Sequence, residues 1–193
     1  INNNWTRSNN SKQQFNKNTN HCRVVASVRL LLCLFLVRFL LQASGADFYN
    51  PISQAVIKGS DPLAAPLRKL LPSIGKFDLA ALLLALVMGV VFVALISMGR
   101  LTISQYAIFG IVRTLSVLVD FYWWSMLIIV IASFVSQGNS HPGLSLLDQL
   151  VDPLIRPIRS ILPSMGPLDF SPMVVILMLS IAQRSLPNAY AFI

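Results

Sequence analysis

DPLAAPLRKLLPSIGKFD fills residues 61–78, and DPLIRPIRSILPSMGPLD fills residues 152–169, an offset of 91. Ten of the eighteen positions are identical: Asp61/Asp152, Pro62/Pro153, Leu63/Leu154, Pro66/Pro157, Arg68/Arg159, Leu71/Leu162, Pro72/Pro163, Ser73/Ser164, Gly75/Gly166 and Asp78/Asp169. Others exchange one aliphatic for another, as Leu67 for Ile158, and Pro51 and Pro142 hold the same offset. Chance does not produce such a match, so the chain is read as one unit used twice.

Working outward, each copy has an apolar stretch before it and another after it. Residues 24–45 are apolar, though they carry Arg29 and Arg38. They are long enough to span roughly 30 Å of hydrocarbon, and an arginine near either end can snorkel to headgroups. The rival reading is a secretory signal with the apolar core LLLCLFL; the repeat favours a retained helix. Residues 79–98 hold no charge at all, with Asp78 as a helix cap in front and Arg100 behind. Residues 101–136 are too long for one perpendicular crossing. They predict either a single tilted helix or an interfacial piece at 103–119 followed by a span, with Trp123 and Trp124 suited to the interface. The last span starts at Ser171 and Pro172, cap then proline, and runs to about Pro187.

Composition agrees. The 193 residues are 55% hydrophobic and 11% charged, with a mean hydropathy of +0.67, against about 25% charged for a soluble domain. Such a chain cannot cover itself in polar side chains, and lipid must be part of its solvent. The net charge of +8 would suit nucleic acid, but the basic residues flank apolar segments. They read as headgroup contacts and topology determinants instead. The expected partners are therefore membrane lipids and membrane proteins, not nucleic acid; the oligomeric state is left open. Cys22 and Cys33 make no disulfide framework.

The predicted fold is an all-α membrane protein with four transmembrane helices, arranged as two parallel helix–interfacial segment–helix repeats over residues 24–100 and 101–193. Two crossings per unit bring both units into the membrane the same way, so both motif segments lie on one side. Those segments hold Lys58, Arg68, Lys69, Lys76, Arg156 and Arg159 against Arg100 and Arg184 opposite once the N-terminal tail is discounted, which places the motifs in the cytoplasm. Residues 1–23 stand apart. The first twenty contain eight Asn, have almost nothing to bury, and read as a disordered, non-native leader.

Within each motif, Asp61-Pro62 and Asp152-Pro153 read as helix starts, aspartate capping and proline at the first turn. Leu63, Leu67, Leu70, Leu71 and Ile74 then share a helical face, as do Leu154, Ile158, Ile161, Leu162 and Met165. Arg68 and Lys69 in one copy, and Arg156 and Arg159 in the other, fall opposite. Short amphipathic helices of this kind lie in the membrane plane with arginine reaching phosphate. Pro66 and Pro157 bend or shorten them, Pro72 and Pro163 stop them, Gly75 and Gly166 allow the turn back into lipid, and Asp78 and Asp169 cap the next span. Beside this structural reading stands a functional one: Arg68 and Arg159 as a paired anionic site for lipid or a partner protein.

Catalytic constellations are lacking. There is no Glu, only His21 and His141, and no zinc, phosphate-loop or Ser-His-Asp pattern. The chain reads as no enzyme and without a cofactor. His141 reads as a loop histidine in preference to a haem ligand. Arg113 and Asp120, seven apart and so on one helical face, form a candidate intramembrane polar pair.

At ADFYNPISQ (46–54), both motif copies and FVSQG (134–138), the chain resembles the YggT family in its two-repeat proteobacterial form. The resemblance spans residues 37–187 and carries over Asp47, Phe48, Asn50 and Pro51 with the Asp, Pro, Arg and Gly positions of both motifs. It implies a small multi-pass inner-membrane protein without known enzymatic activity, linked to osmotic-stress tolerance with a suggested connection to ion uptake. Relatives known as YlmG are linked to cell division and nucleoid distribution, and a chloroplast relative to covalent haem attachment. The expectation is a scaffold or assembly factor supporting envelope function; the runners-up are a transport protein with a path near Arg113 and Asp120, and a haem-handling factor. The sequence departs from the family at its Asn-rich start and at Arg29.

Overall fold

A computed structural model describes residues 3–71, 75, 77–135, 141–161 and 171–186. Six helices run in order: α1 (Asn3–Ser44), α2 (Pro51–Leu70), α3 (Leu79–Ser97), α4 (Ile103–Val135), α5 (Pro142–Ile161) and α6 (Ser171–Ser185). Three stretches are long and apolar enough to cross a membrane, Lys12–Ser44, Leu79–Ser97 and Ile103–Ser133. The fourth apolar helix, α6, has 15 residues, about 22 Å at 1.5 Å per residue, short of the roughly 30 Å of a hydrocarbon core. It ends two residues before Pro187, whose ring disfavours helix in the residue preceding it.

The spans start and stop where local chemistry dictates. Asp78 caps α3 by accepting from the Ala81 N–H at 3.1 Å. Met98 and Gly99 end it with φ of +49° and +83°, and glycine adopts that left-handed turn without steric cost. Thr102 opens α4, where the Gln105 side chain reaches back to the Thr102 N–H at 2.9 Å, half of a capping box. From there α4 is one uninterrupted helix of 33 residues, about 50 Å, so the backbone takes the single long helix of the two forms expected for residues 101–136.

The motif helices start eleven residues before the expected Asp-Pro steps. The Asn50 side chain caps α2 and Pro51 takes the first turn; in α5, Pro142 follows His141, whose carbonyl accepts from the Leu144 and Ser145 N–H groups. Asp61 and Asp152 therefore sit in mid-helix and are not caps. A cap followed by proline does start the helix, but Asn50-Pro51 supplies it before Asp61-Pro62 does. Pro62 and Pro66, like Pro153 and Pro157, lie inside the helices. An interior proline costs about 3 kcal/mol, and in α2 the residues beside the two prolines, Ser60 and Ala64, are fully buried against the bundle. Leu71 is extended, with φ −120° and ψ 96°, as a residue before proline should be. Gly75 makes the turn with φ +59°. Pro72, Pro163, Gly166 and Asp169 lie outside the described residues.

The Asn-rich leader, expected to be disordered, is helical from Asn3. Nucleation is the expensive step of helix formation and propagation is nearly neutral, so polar residues can extend a helix that apolar residues 24–44 have already established.

Three apolar clusters hold the bundle together. Leu32, Phe35 and Leu36 of α1 meet Ala64 of α2, Leu84 and Ala85 of α3 and Val117 of α4. Leu40, Leu41 and Ala46 at the end of α1 pack on Leu146 and Leu150 of α5. Met126 of α4 joins Val151 and Ile155 of α5 and Val175 of α6. Helices α3 and α4 approach closely at Gly89 and Gly110. A Cβ on Gly89 would stand 2.6 Å from the Gly110 carbonyl oxygen and collide with the Thr114 hydroxyl, which is how small residues let apolar helices associate. Large apolar side chains point outward instead, including Leu83, Val87, Val91, Ile108, Ile111, Leu177 and Ile181. An apolar exterior on apolar helices is the signature of a membrane protein.

Candidate functional site

Arg38 sits in the last two turns of α1 and is 2% exposed. A guanidinium there must find partners, because an unpaired buried charge is prohibitive. It donates to the Asp61 carboxylate at 2.6 Å, to the Ile57 carbonyl at 3.0 Å and to the Ser60 hydroxyl, all on α2. Its Nε lies 3.6 Å from the Asp78 carboxylate. Arg68, at the end of α2, closes the group with bonds of 2.5 and 3.1 Å to Asp78 and stands 4.0 Å from Asp61. Two arginines and two aspartates thus make an electroneutral cluster that ties α1, α2 and α3 together. Burial pushes the Asp78 carboxyl upward, but the Arg68 hydrogen bond, the Ala81 N–H and the charges of Arg68 and Arg38 outweigh it and hold the pKa below the usual carboxylate range.

Mid-helix placement is what makes Asp61 available. Freed from capping, its side chain points sideways to Arg38 and Arg68. Arg38, expected to snorkel, and Arg68, expected to reach phosphate, both bond aspartates instead. A signal for this did exist. Ninety-one residues on, Arg38 corresponds to Ile129 and Ser60 to Val151, and a repeat that breaks its own pattern from apolar to charged at one place marks a special contact. In the second unit Asp152 instead pairs along its own helix with Arg156 at 2.5 Å.

The second constellation joins the two motif helices. Besides capping α2 through its oxygen, Asn50 donates from Nδ2 to the Pro142 carbonyl at 2.7 Å. Gln149 of α5 accepts from the Asp47 N–H at 2.7 Å, while the Asp47 carboxylate accepts from the Tyr49 N–H at 2.8 Å. The starts of α2 and α5 are therefore stapled to each other. His141 is exposed beside this junction.

Arg113 and Asp120 go to different neighbours. The Arg113 guanidinium lies 4.4 Å over the Phe92 ring of α3, and Asp120 accepts from Gln183 of α6 at 2.8 Å. Among the described residues no three or more of His, Cys, Asp and Glu gather as a metal site would require.

A paired-unit chain with these motifs can be placed among known proteins. The family model described as CCB3/YggT matches residues 24–99 and 108–190. The chain belongs to the CCB3/YggT family. The uncharacterized protein YggT of Escherichia coli is 38% identical over 152 residues, covering 79% of this chain and 80% of that protein. An uncharacterized protein of Pseudomonas aeruginosa is 38% identical over 167 residues, 84% of this chain and 85% of its own length. One from Vibrio alginolyticus is 40% identical over 158 residues, 79% and 85% of the two chains. No solved structure matches. The two family-matched stretches each contain one apolar helix pair and one motif helix, so the buried cluster and the α2–α5 staple both lie inside the YggT regions.

Proposed function

We propose that this YggT-family chain is a non-enzymatic scaffold of the bacterial inner membrane, supporting envelope function under osmotic stress. Two units, residues 24–100 and 101–193, each cross twice and run parallel, with α2 and α5 on the cytoplasmic surface. The pairing of Arg38 and Arg68 with Asp61 and Asp78 carries this reading. The strongest polar chemistry of the motif is turned to joining helices, as in a rigid platform, and is not displayed around a substrate. The coincident boundaries of α2 and α5, both ends 91 residues apart, support the parallel arrangement. With residues 1–23 set aside, the six Lys and Arg of the motif segments against Arg100 and Arg184 support the cytoplasmic side.

Transport is the second reading, favoured by the burial of Arg113 at the α3–α4 crossing and by the polar contact of Asp120 with α6. Proteoliposomes separate the two. A scaffold leaves ion flux at the level of empty vesicles, and cells lacking the protein regain growth in high osmolarity with Asp120→Asn as with wild type. Flux that depends on Asp120 would overturn the scaffold. An altered haem spectrum in His141→Ala would instead favour a haem-handling role.

A further inference from the structure

Viewed down its axis, α2 divides into three faces at 100° per residue. Ser53, Ser60 and Ala64 turn to the bundle and are fully buried. On one flank Ile52 and Leu63 are large, apolar and exposed at 45% and 44%. On the other, Lys58 and Lys69 stand eleven residues apart on one stripe, both exposed, and neither has a carboxylate partner among the described ion pairs. In the second unit the stripe beside this flank is covered: Leu146 and Leu150 of α5, counterparts of Ala55 and Gly59, lie under Leu40 and Leu41 of α1. The corresponding contact would bring Ile131 and Ala132 of α4 onto Ala55 and Gly59 of α2. Among the described residues no Cα of α4 comes within 8 Å of one of α2, and Ile131 is 54% exposed. Among the described residues the α1–α5 contact thus has no duplicate between α4 and α2, where Leu34 of α1 approaches Gly59 and two lysines without a described carboxylate partner border the flank; the α5 counterparts of Lys58 and Lys69 are Gln149 and Ser160.

We propose that this flank of α2 binds anionic phospholipids, with acyl chains against Ile52 and Leu63 and headgroup phosphates at Lys58 and at Lys69. The inference rests on the surface placement of α2 proposed above. An apolar strip beside a cationic one is what a headgroup with its chain recognises, and the charge of the stripe selects an anionic over a zwitterionic lipid.

The test uses the full chain in nanodiscs and measures the immobilised fraction of spin-labelled phosphatidylglycerol and of spin-labelled phosphatidylcholine. The wild type prefers phosphatidylglycerol. Lys58→Gln with Lys69→Gln lowers that preference about fivefold per lysine, the factor for one cation at an anionic surface, and leaves the circular dichroism unchanged. Leu63→Ser weakens both lipids alike, and Lys12→Gln with Lys17→Gln at the far end of α1 changes neither. Undiminished selectivity in the double lysine variant overturns the proposal. So does a disulfide-linked dimer formed through Ala55→Cys in a Cys22→Ser, Cys33→Ser background, since a second copy would then occupy the flank. If wild type shows no immobilised lipid of either kind, the surface placement of α2 itself fails.

Discussion

Arg38 and Ile129 occupy matching places, each six residues before the end of its helix, α1 or α4, yet one is held by four polar groups and the other packs beside Met126 and Val151. The two units therefore solve the same packing problem in different ways. An apolar contact is tolerant of position, whereas a buried ion cluster requires its partners at fixed places and fixes the geometry of three helices at once.

Replacing Arg38 by the side chain of its counterpart tests that difference. Arg38→Ile leaves Asp78 buried with one cation fewer and is expected to cost about 3 kcal/mol, the lower end for breaking a buried pair. Adding Asp61→Asn should recover part of the loss, because residues in one network are not additive. Thermal unfolding in mild detergent, followed by circular dichroism, reads both variants.

Asp78 has two duties, cap and counter-ion, and its variants separate them. Asp78→Asn keeps an oxygen for the Ala81 N–H but removes the charge, whereas Asp78→Ala removes both and should lose about 1 kcal/mol more, the worth of a helix cap. Both should cost more than Arg68→Ala, since Arg68 is 42% exposed and water can replace it. The same residue sets an acid limit. The folded pKa of Asp78 is lowered, so its contribution is fully present above the ordinary aspartate range and is lost as pH falls through the folded value. Unfolding temperature should fall on acidification, and fall less in Asp78→Asn.

Much of this was legible in the chain, for identifiable reasons. The duplicated motif, the uncharged run before Met98 and the cap at Asp78 are local signals, and each predicts its element directly. Two things were not local. Asp61-Pro62 has the chemistry of a helix start, and only the presence of Asn50-Pro51 upstream, with room to pack eleven further residues, decides against it. Arg38 looks like a headgroup residue until α2 folds back over it, because its partners lie 23 and 40 positions away. The separation of Arg113 and Asp120 onto Phe92 and Gln183 is likewise set by which helices neighbour α4, which helical periodicity alone does not specify.

Asn50 links the units, and its substitutions distinguish the link from the cap. Asn50→Asp can still accept from the Ile52 N–H, as Asn50 does at 3.0 Å, but cannot donate to the Pro142 carbonyl. It should cost about 1–3 kcal/mol for leaving that contact unmade, measured by thermal unfolding, and Asn50→Ala should cost about 1 kcal/mol beyond it for the lost cap.

The α3–α4 crossing admits no side chain at Gly89. Gly89→Leu should force the helices apart and cost more than the roughly 1–3 kcal/mol of ordinary overpacking, because the obstacle is the Gly110 backbone. Gly110→Ala should show the same loss against Val90. The readout is unfolding temperature together with the rate of cross-linking between cysteines placed on α3 and α4.

Side-specific labelling tests the paired-unit membrane fold most directly. In a Cys22→Ser, Cys33→Ser background, Lys58→Cys on α2, Arg156→Cys on α5 and Arg100→Cys between α3 and α4 are exposed to a membrane-impermeant maleimide in sealed vesicles. Lys58→Cys and Arg156→Cys should react from one and the same side, and Arg100→Cys only from the other. Labelling of α2 and α5 from opposite sides would contradict the account.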